Sequence, residues 1–238
     1  MAKYDLPAML DYVMKLNNID KIDYIGHSQG TIILFILLSI KPEWNDKIIK
    51  HYALAPVATL RSLNSIFVTI FKHEFLKNIY IVDSVLTLFC KFISHRLCSF
   101  SINAVCGDDD KCFKKSDISY ILKHSPAGTS FKNMKHYLQV YENNGIFQPF
   151  DNGCAKNKII YNSCKIPPYN YSNIKVKTVV YVGTHDDIAN PENIEILEGI
   201  LPNIIKTRVY QNWNHIHFNW GADCNLTLHK NIISDIEN

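Results

Sequence analysis

The sequence predicts an α/β fold, a parallel sheet covered by helices and interrupted by one helical insertion that would serve as a cap. Three observations carry that expectation. Short strand-like runs alternate with segments of helical spacing at both ends of the chain. A block over about 60–150 breaks the alternation with helical stretches rich in large apolar residues. Near the start, "IDYIGHSQGTIILF" passes from strand character to helix character across Gly26-His27-Ser28-Gln29-Gly30. The expected units are a core segment over 1–59, the insertion over 60–150 and a second core segment over 151–238.

Leu6, Met9, Leu10, Val13 and Leu16 recur at three and four, which predicts an amphipathic helix with Asp5 as its cap. After Asn17-Asn18 a strand is expected at about 21–25, then the glycine-flanked serine, then a buried helix at about 31–39. "IIKHYALAPV" reads as a strand covered on both faces. Within the insertion, "PAGTSFKNMKHYLQVYENNGIF" reads as a turn followed by a helix. Strand character returns in "KTVVYVG", at 177–183, and Asn190-Pro191 caps a helix at about 192–201. "IIKTRVY" is the last strand, with a final helix after Gly221. There is no internal repeat and no low-complexity tract.

Composition narrows the class. Over 238 residues, 47% hydrophobic and 20% charged residues describe a globular chain with a real core. A net charge of +3 with scattered lysines offers no nucleic-acid groove. The seven cysteines lack the paired short spacings of a zinc site. Cys106 and Cys112 bracket a short polar turn that a disulfide would close, with buried thiols as the alternative. Asn170-Tyr171-Ser172 and Asn225-Leu226-Thr227 match the N-glycosylation triplet, a pattern common by chance. The N-terminus, "MAKYDLPAML", has no signal-peptide apolar region, and the longest apolar run is about half of a bilayer span.

The chemistry lies at Ser28. A strand that ends in Gly-x-Ser-x-Gly and reverses into a helix is a nucleophile elbow. Its serine takes a strained backbone at the tip of the turn, and side chains at Gly26 and Gly30 would collide there. The helix that begins near Gln29 aims its amides at the same point, where an oxyanion would form. A serine hydroxyl is a weak nucleophile and needs a base and an orienting carboxylate. In this fold class the acid follows the serine and the histidine comes last. "YVGTHDDIANP" offers Asp186 and Asp187 beyond a strand end, and "NWNHIHFNW" offers His215 and His217 after the last strand. The competing readings are a turn cap for the aspartates, and a surface pair or a His-x-His metal pair for the histidines.

With those residues in hand, the chain resembles the acid lipase family, which includes gastric and lysosomal acid lipases and many insect lipases. "YDLPAMLDYV", "YIGHSQGT", "KPEWNDKI", "ALAPVA", "HSPAGTS", "PPYNYS", "ANPENIEIL" and "WNHIHFNWGAD" read like family segments in family order. The resemblance implies an α/β-hydrolase fold and serine hydrolysis of lipid esters, of triacylglycerol or cholesteryl ester type, at a lipid interface. It implies no cofactor and no metal. Carried over, Ser28 is the nucleophile, Asp186 the acid by its distance from Pro191, His215 the base, and the Gln29 amide an oxyanion donor. His217 stands where the family usually has aspartate, which bears on how the base is supported. The 60–150 block matches the family's cap, whose apolar faces shape an acyl pocket.

The resemblance also implies a long preceding stretch with a signal peptide, the first strands and a second oxyanion amide. The chain therefore reads as N-terminally truncated, a partial fold with its first strands missing and an apolar open edge beside the strand before Ser28. A secreted or lysosomal destination follows from the family alone. The alternative to an enzyme is a catalytically inactive, lipase-like lipid-binding or interaction protein.

Overall fold

The computed structural model describes residues 1–63, Gly107, 118–121 and 129–238. Its core is a four-stranded, all-parallel sheet in the order β1 (Ile22–His27), β2 (Ile48–Leu54), β3 (Lys177–Gly183) and β4 (Ile204–Tyr210). Helix α1 (Asp5–Asn17) precedes β1, and α2 (Gln29–Ile40) crosses from β1 to β2. Between β2 and β3 lie α3 (Phe131–Glu142) and α4 (Cys154–Tyr161), with α5 (Pro191–Ile200) between β3 and β4 and α6 (Leu228–Glu237) at the end. This is the expected α/β alternation. Much of the 60–150 block lies outside the described residues.

Local chemistry explains the boundaries. Helix α2, QGTIILFILLSI, carries no charge, and a helix apolar all round must be enclosed; Leu34, Phe35, Leu37 and Leu38 are buried against the sheet. Asn190 caps α5 by accepting from Asn193 N, with Pro191 pre-set at the first helical position. Ser130 caps α3 by accepting from the same position, Asn133 N. Asp5 does not cap α1. It lies inside the first turn, where its carboxylate pairs with the N-terminal ammonium at 3.0 Å, and Tyr4 holds the cap position without a side-chain bond. Strand β1 and helix α2 each run two residues further toward the turn than the periodicity predicts, because the elbow between them consumes only Ser28.

Alternation along β2 sends neighbouring side chains to opposite faces. His51 points to the α2 side, with ring centroids 5.5 Å from Tyr24 and 4.8 Å from Phe35. Tyr52 points to the other side and reaches the Asp235 carbonyl on α6 at 3.3 Å. Strand β1 is an edge of the sheet, with Ile25 half exposed.

Cys106 and Cys112, the expected disulfide pair, lie outside the described residues. A bridge that the spacing did not suggest joins Cys154, at the start of α4, to Cys164 ten residues on. Among the described residues no helix is long and apolar enough to cross a membrane, and no group of three or more His, Cys, Asp or Glu is placed to hold a metal ion.

His51 sets a pH limit on stability. It is fully buried and both ring nitrogens lack a hydrogen-bond partner, so burial drives its pKa down to about 3. The folded value is depressed, so the stability that His51 contributes is complete above the ordinary value near 6.5 and declines as pH falls toward 3. At pH 5 the unfolded chain gains about 2 kcal/mol from protonating this one side chain. His51→Leu is therefore expected to lose about 2 kcal/mol less than wild type when denaturation is compared between pH 7.5 and pH 5. Equal losses in the two proteins would contradict this.

Candidate active site

Ser28 occupies the single residue between β1 and α2, with φ 51° and ψ −116°. That left-handed conformation is unusual for a residue with a side chain, and surrounding bonds hold it. Ser28 N donates to Leu54 O at 3.0 Å, while Ser28 O accepts from Thr31 N at 3.0 Å and Thr31 Oγ1 at 2.6 Å. A Cβ at Gly26 would lie 2.8 Å from the Gly30 backbone carbon and 2.9 Å from Thr31 N, so only glycine fits there. Gly30 is different. A Cβ there would meet nothing nearer than the Tyr24 hydroxyl at 3.8 Å, an ordinary contact, so the expected collision at Gly30 does not occur. The close approach involves the Gly30 backbone, which Tyr24 also grips by donating its hydroxyl to Gly30 O at 2.9 Å.

The structure brings Ser28, His215 and Asp186 together from three separate loops. His215 Nε2 lies 2.7 Å from Ser28 Oγ. On the other side of the ring, His215 Nδ1 lies 2.9 Å from Asp186 Oδ2 and 3.1 Å from Oδ1. Both side chains are buried. Asp186 sits in the turn after β3, where Oδ1 also accepts from Ile188 N at 2.8 Å and Ala189 N at 2.7 Å. Those two amides fix the carboxylate plane before the histidine meets it.

His215 follows β4 on a loop that Asn214 organises. Asn214 Oδ1 accepts from Ile216 N at 3.2 Å and His217 N at 3.0 Å. Its Nδ2 donates to Gly107 O at 2.9 Å. Gly107 has φ +101°, and a Cβ there would lie 1.7 Å from His185 O, so a glycine from the insertion is wedged between the acid turn and the base loop. Nothing in the sequence around "VCGDDD" signals this role. His217 serves elsewhere: its Nε2 meets Asp223 Oδ1 at 2.7 Å and its ring stacks on Trp213 at 3.9 Å. It packs the base loop, and the local support that the change from aspartate to His217 put in question is present in Asn214's bonds.

Gln29 opens α2, where the first amides have no partner within the helix. Its side chain donates to Asn133 Oδ1 on α3 at 2.9 Å, tying the elbow to the described part of the insertion. Ser28 and His215 open into a cavity of about 260 Å³ lined by Val57, Leu60, Met134 and Ile188. Gln29, Asn133 and Tyr137 also border a second cavity of about 600 Å³, walled by Ile33, Ile36, Val140 and Phe147.

Asn170 and Asn225 are both exposed. The Asn170 side chain accepts from Ser172 N at 3.0 Å and from the Ser172 hydroxyl at 2.7 Å.

Comparison with solved structures gives the fold. The monoacylglycerol lipase of Paleococcus ferrophilus superposes with a TM-score of 0.50 at 17% identity, covering 95% of this chain and 72% of that one. A soluble variant of monoglyceride lipase from Saccharomyces cerevisiae gives 0.50 at 19% identity, covering 97% and 65%. The sheet, its crossovers and these neighbours define a partial α/β-hydrolase fold. No family profile matches the sequence. Human gastric triacylglycerol lipase is 35% identical over 99% of this chain and 63% of its own length. Human lysosomal acid lipase/cholesteryl ester hydrolase is 32% identical over 98% of this chain and 62% of its own. Over nearly all of its residues the chain is thus acid lipase-like in sequence, spanning a little under two thirds of the length of those lipases.

Proposed function

We propose that this chain carries the reacting groups of a serine carboxylic-ester hydrolase acting on lipid esters of triacylglycerol or cholesteryl ester type. The observation that carries the reading is the unbroken hydrogen-bonded line from Ser28 Oγ through His215 to Asp186. In this reading Ser28 Oγ attacks the ester carbonyl carbon as His215 Nε2 takes its proton. Asp186 holds the imidazole with Nδ1–H toward the carboxylate, which leaves the Nε2 lone pair facing the serine. The Gln29 amide, at the start of α2, stabilises the oxyanion. The carbonyl re-forms, and the alcohol leaves with the proton from His215. Water, deprotonated by the same histidine, then releases the fatty acid and restores Ser28.

The apolar cavities on either side of Gln29 suit an aliphatic ester, and the acid lipase-like sequence points to the same substrates. The 60–150 block acts as the cap over this site, and a lipid interface is the partner. The Cys154–Cys164 bridge suits an oxidising compartment, so a secreted or lysosomal setting is part of the proposal, with Asn170 and Asn225 as glycan carriers. Release of fatty acid from an emulsified triacylglycerol tests it. Turnover that an active-site serine reagent stops is the expected result. Lipid binding without turnover would contradict it and favour the inactive lipid-binding alternative.

A further inference from the structure

We propose that His27, the residue before Ser28 in the elbow, is a positioning residue that latches the base-bearing loop to the elbow through the backbone carbonyl of His215. Asp186 fixes the rotation of the His215 ring, and the bonds of Trp213 and Asn214 hold the start of the 213–219 segment to the acid turn and Gly107, but neither ties the segment to the elbow that carries Ser28. That segment follows a left-handed residue, Asn212 at φ 62°, and leads into the single helical turn His217–Trp220. Across the sequence gap the His27 ring lies against it. His27 Nε2 is 2.8 Å from His215 O, and His27 Nδ1 is 2.9 Å from Asn219 Nδ2. The ring centroids of His27 and His215 are 5.0 Å apart.

The partners dictate the proton. A carbonyl oxygen only accepts, so Nε2 of His27 carries the hydrogen, and Nδ1 keeps a lone pair for the Asn219 amide. One neutral tautomer satisfies both bonds, and a charged ring would put an N–H against the Asn219 N–H. Burial, and then the neighbouring His215, lower the His27 pKa to about 4, which keeps the ring in the state the latch requires.

The consequence is geometrical. Ser28 and His27 are consecutive, so the latch and the nucleophile move as one piece. The loop is anchored to the acid turn where His185 N donates to Trp213 O at 3.0 Å, and to Gly107 O through Asn214, while His27 ties it to the elbow at His215 itself, beside the Ser28 Oγ to His215 Nε2 separation of 2.7 Å. Without the tie to the elbow the His215 end of the loop shifts, and the proton acceptor leaves its line with the hydroxyl. Misplacement on the scale of an ångström costs about a hundredfold in rate.

The inference rests on Ser28, His215 and Asp186 being the reacting set, so its test has one readout that needs no chemistry. Wild type, His27→Ala, His27→Gln and Asn219→Ala are compared in three measurements: backbone amide exchange over 213–219, the rate of Ser28 labelling by a fluorophosphonate, and kcat and KM on a soluble ester. For His27→Ala, exchange over 213–219 should accelerate at least tenfold. Labelling and kcat should fall about a hundredfold, with KM changed less than about threefold. His27→Gln, whose amide N–H can reach His215 O, should recover at least tenfold of the lost rate. Asn219→Ala should move the same readouts less far. Wild-type exchange and labelling in His27→Ala would overturn the latch, as would a loss that glutamine does not reverse. If His27→Ala does not fold, the glutamine and Asn219 variants decide. A wild-type chain inert to both reagent and ester would defeat the proposed function, and exchange alone would then decide the latch.

Discussion

Asp186→Asn is expected to lower ester turnover by about 10⁴-fold while leaving the fold and the cavity intact, and Ser28→Ala by about 10⁵-fold or more. The serine result follows from losing the nucleophile. The asparagine result is more informative, because its cause is visible around the acid. Asp186 Oδ1 already accepts from Ile188 N and Ala189 N. An asparagine must keep its oxygen on those two donors, which turns its NH₂ toward His215 Nδ1. That nitrogen can then only accept, so the proton moves to Nε2 and the ring loses the lone pair that faces Ser28 Oγ. Shape is conserved and the tautomer is wrong. Steady-state kinetics, with a thermal melt to show that the variant folds, checks the claim. Retained turnover in Asp186→Asn would mean that the carboxylate is a turn cap and no more, the reading that the sequence left open for it.

The second large effect is on stability. Asp235, on α6, is buried on the face of the sheet opposite α2 and gathers several donors. Tyr181 OH lies at 2.7 Å from it, Lys206 Nζ at 2.7 Å, and Arg208 Nε and Nη2 at 2.6 and 2.7 Å. Despite the opposing effect of burial, these donors hold its carboxyl well below the usual carboxylate range. Asp235→Ala strands the buried Tyr181 hydroxyl and frees Arg208 and Lys206, which are partly exposed and can turn to water. The expected cost is about 2–4 kcal/mol, less than for a fully enclosed pair, or a fall in Tm of roughly 5–15 °C. The folded pKa is depressed, so this stability is present above the ordinary aspartate value and is lost as pH falls below it. Denaturant titrations at pH 7 and pH 3 should show the difference between wild type and Asp235→Ala shrinking at the lower pH. A constant difference would contradict the ionic origin of the clamp.

What the sequence disclosed follows the range of each interaction. The elbow is local: Gly26, Ser28 and the uncharged run of α2 state their geometry within about fifteen residues. The Asn190-Pro191 cap is local too. The places of Asp186 and His215 were legible because strands announce their own ends, and the fold class says which ends carry chemistry. Long-range complements were not legible. Nothing near Gly107 says that it wedges beside His185, and nothing near Asp235 says that Tyr181, Lys206 and Arg208 converge on it. The bridge from Cys154 to Cys164 joins two cysteines whose spacing resembles that of several other pairs in the chain. Gly30 shows the opposite error. The motif suggested that a side chain there would collide, whereas the crowding comes from its backbone, against Gly26 and Tyr24. The change from the family's aspartate to His217 put local support of the base in question, and His217 instead meets Asp223 and stacks on Trp213.

The account depends on Ser28 being made nucleophilic by His215. Reaction of the chain with a fluorophosphonate, followed by peptide mass mapping, tests this most directly. The prediction is one adduct per chain, on Ser28, formed rapidly in wild type and at least a thousandfold more slowly in folded His215→Ala. An adduct on Ser28 that forms as fast without the imidazole, or no adduct on Ser28 in a chain that melts cooperatively, would contradict it.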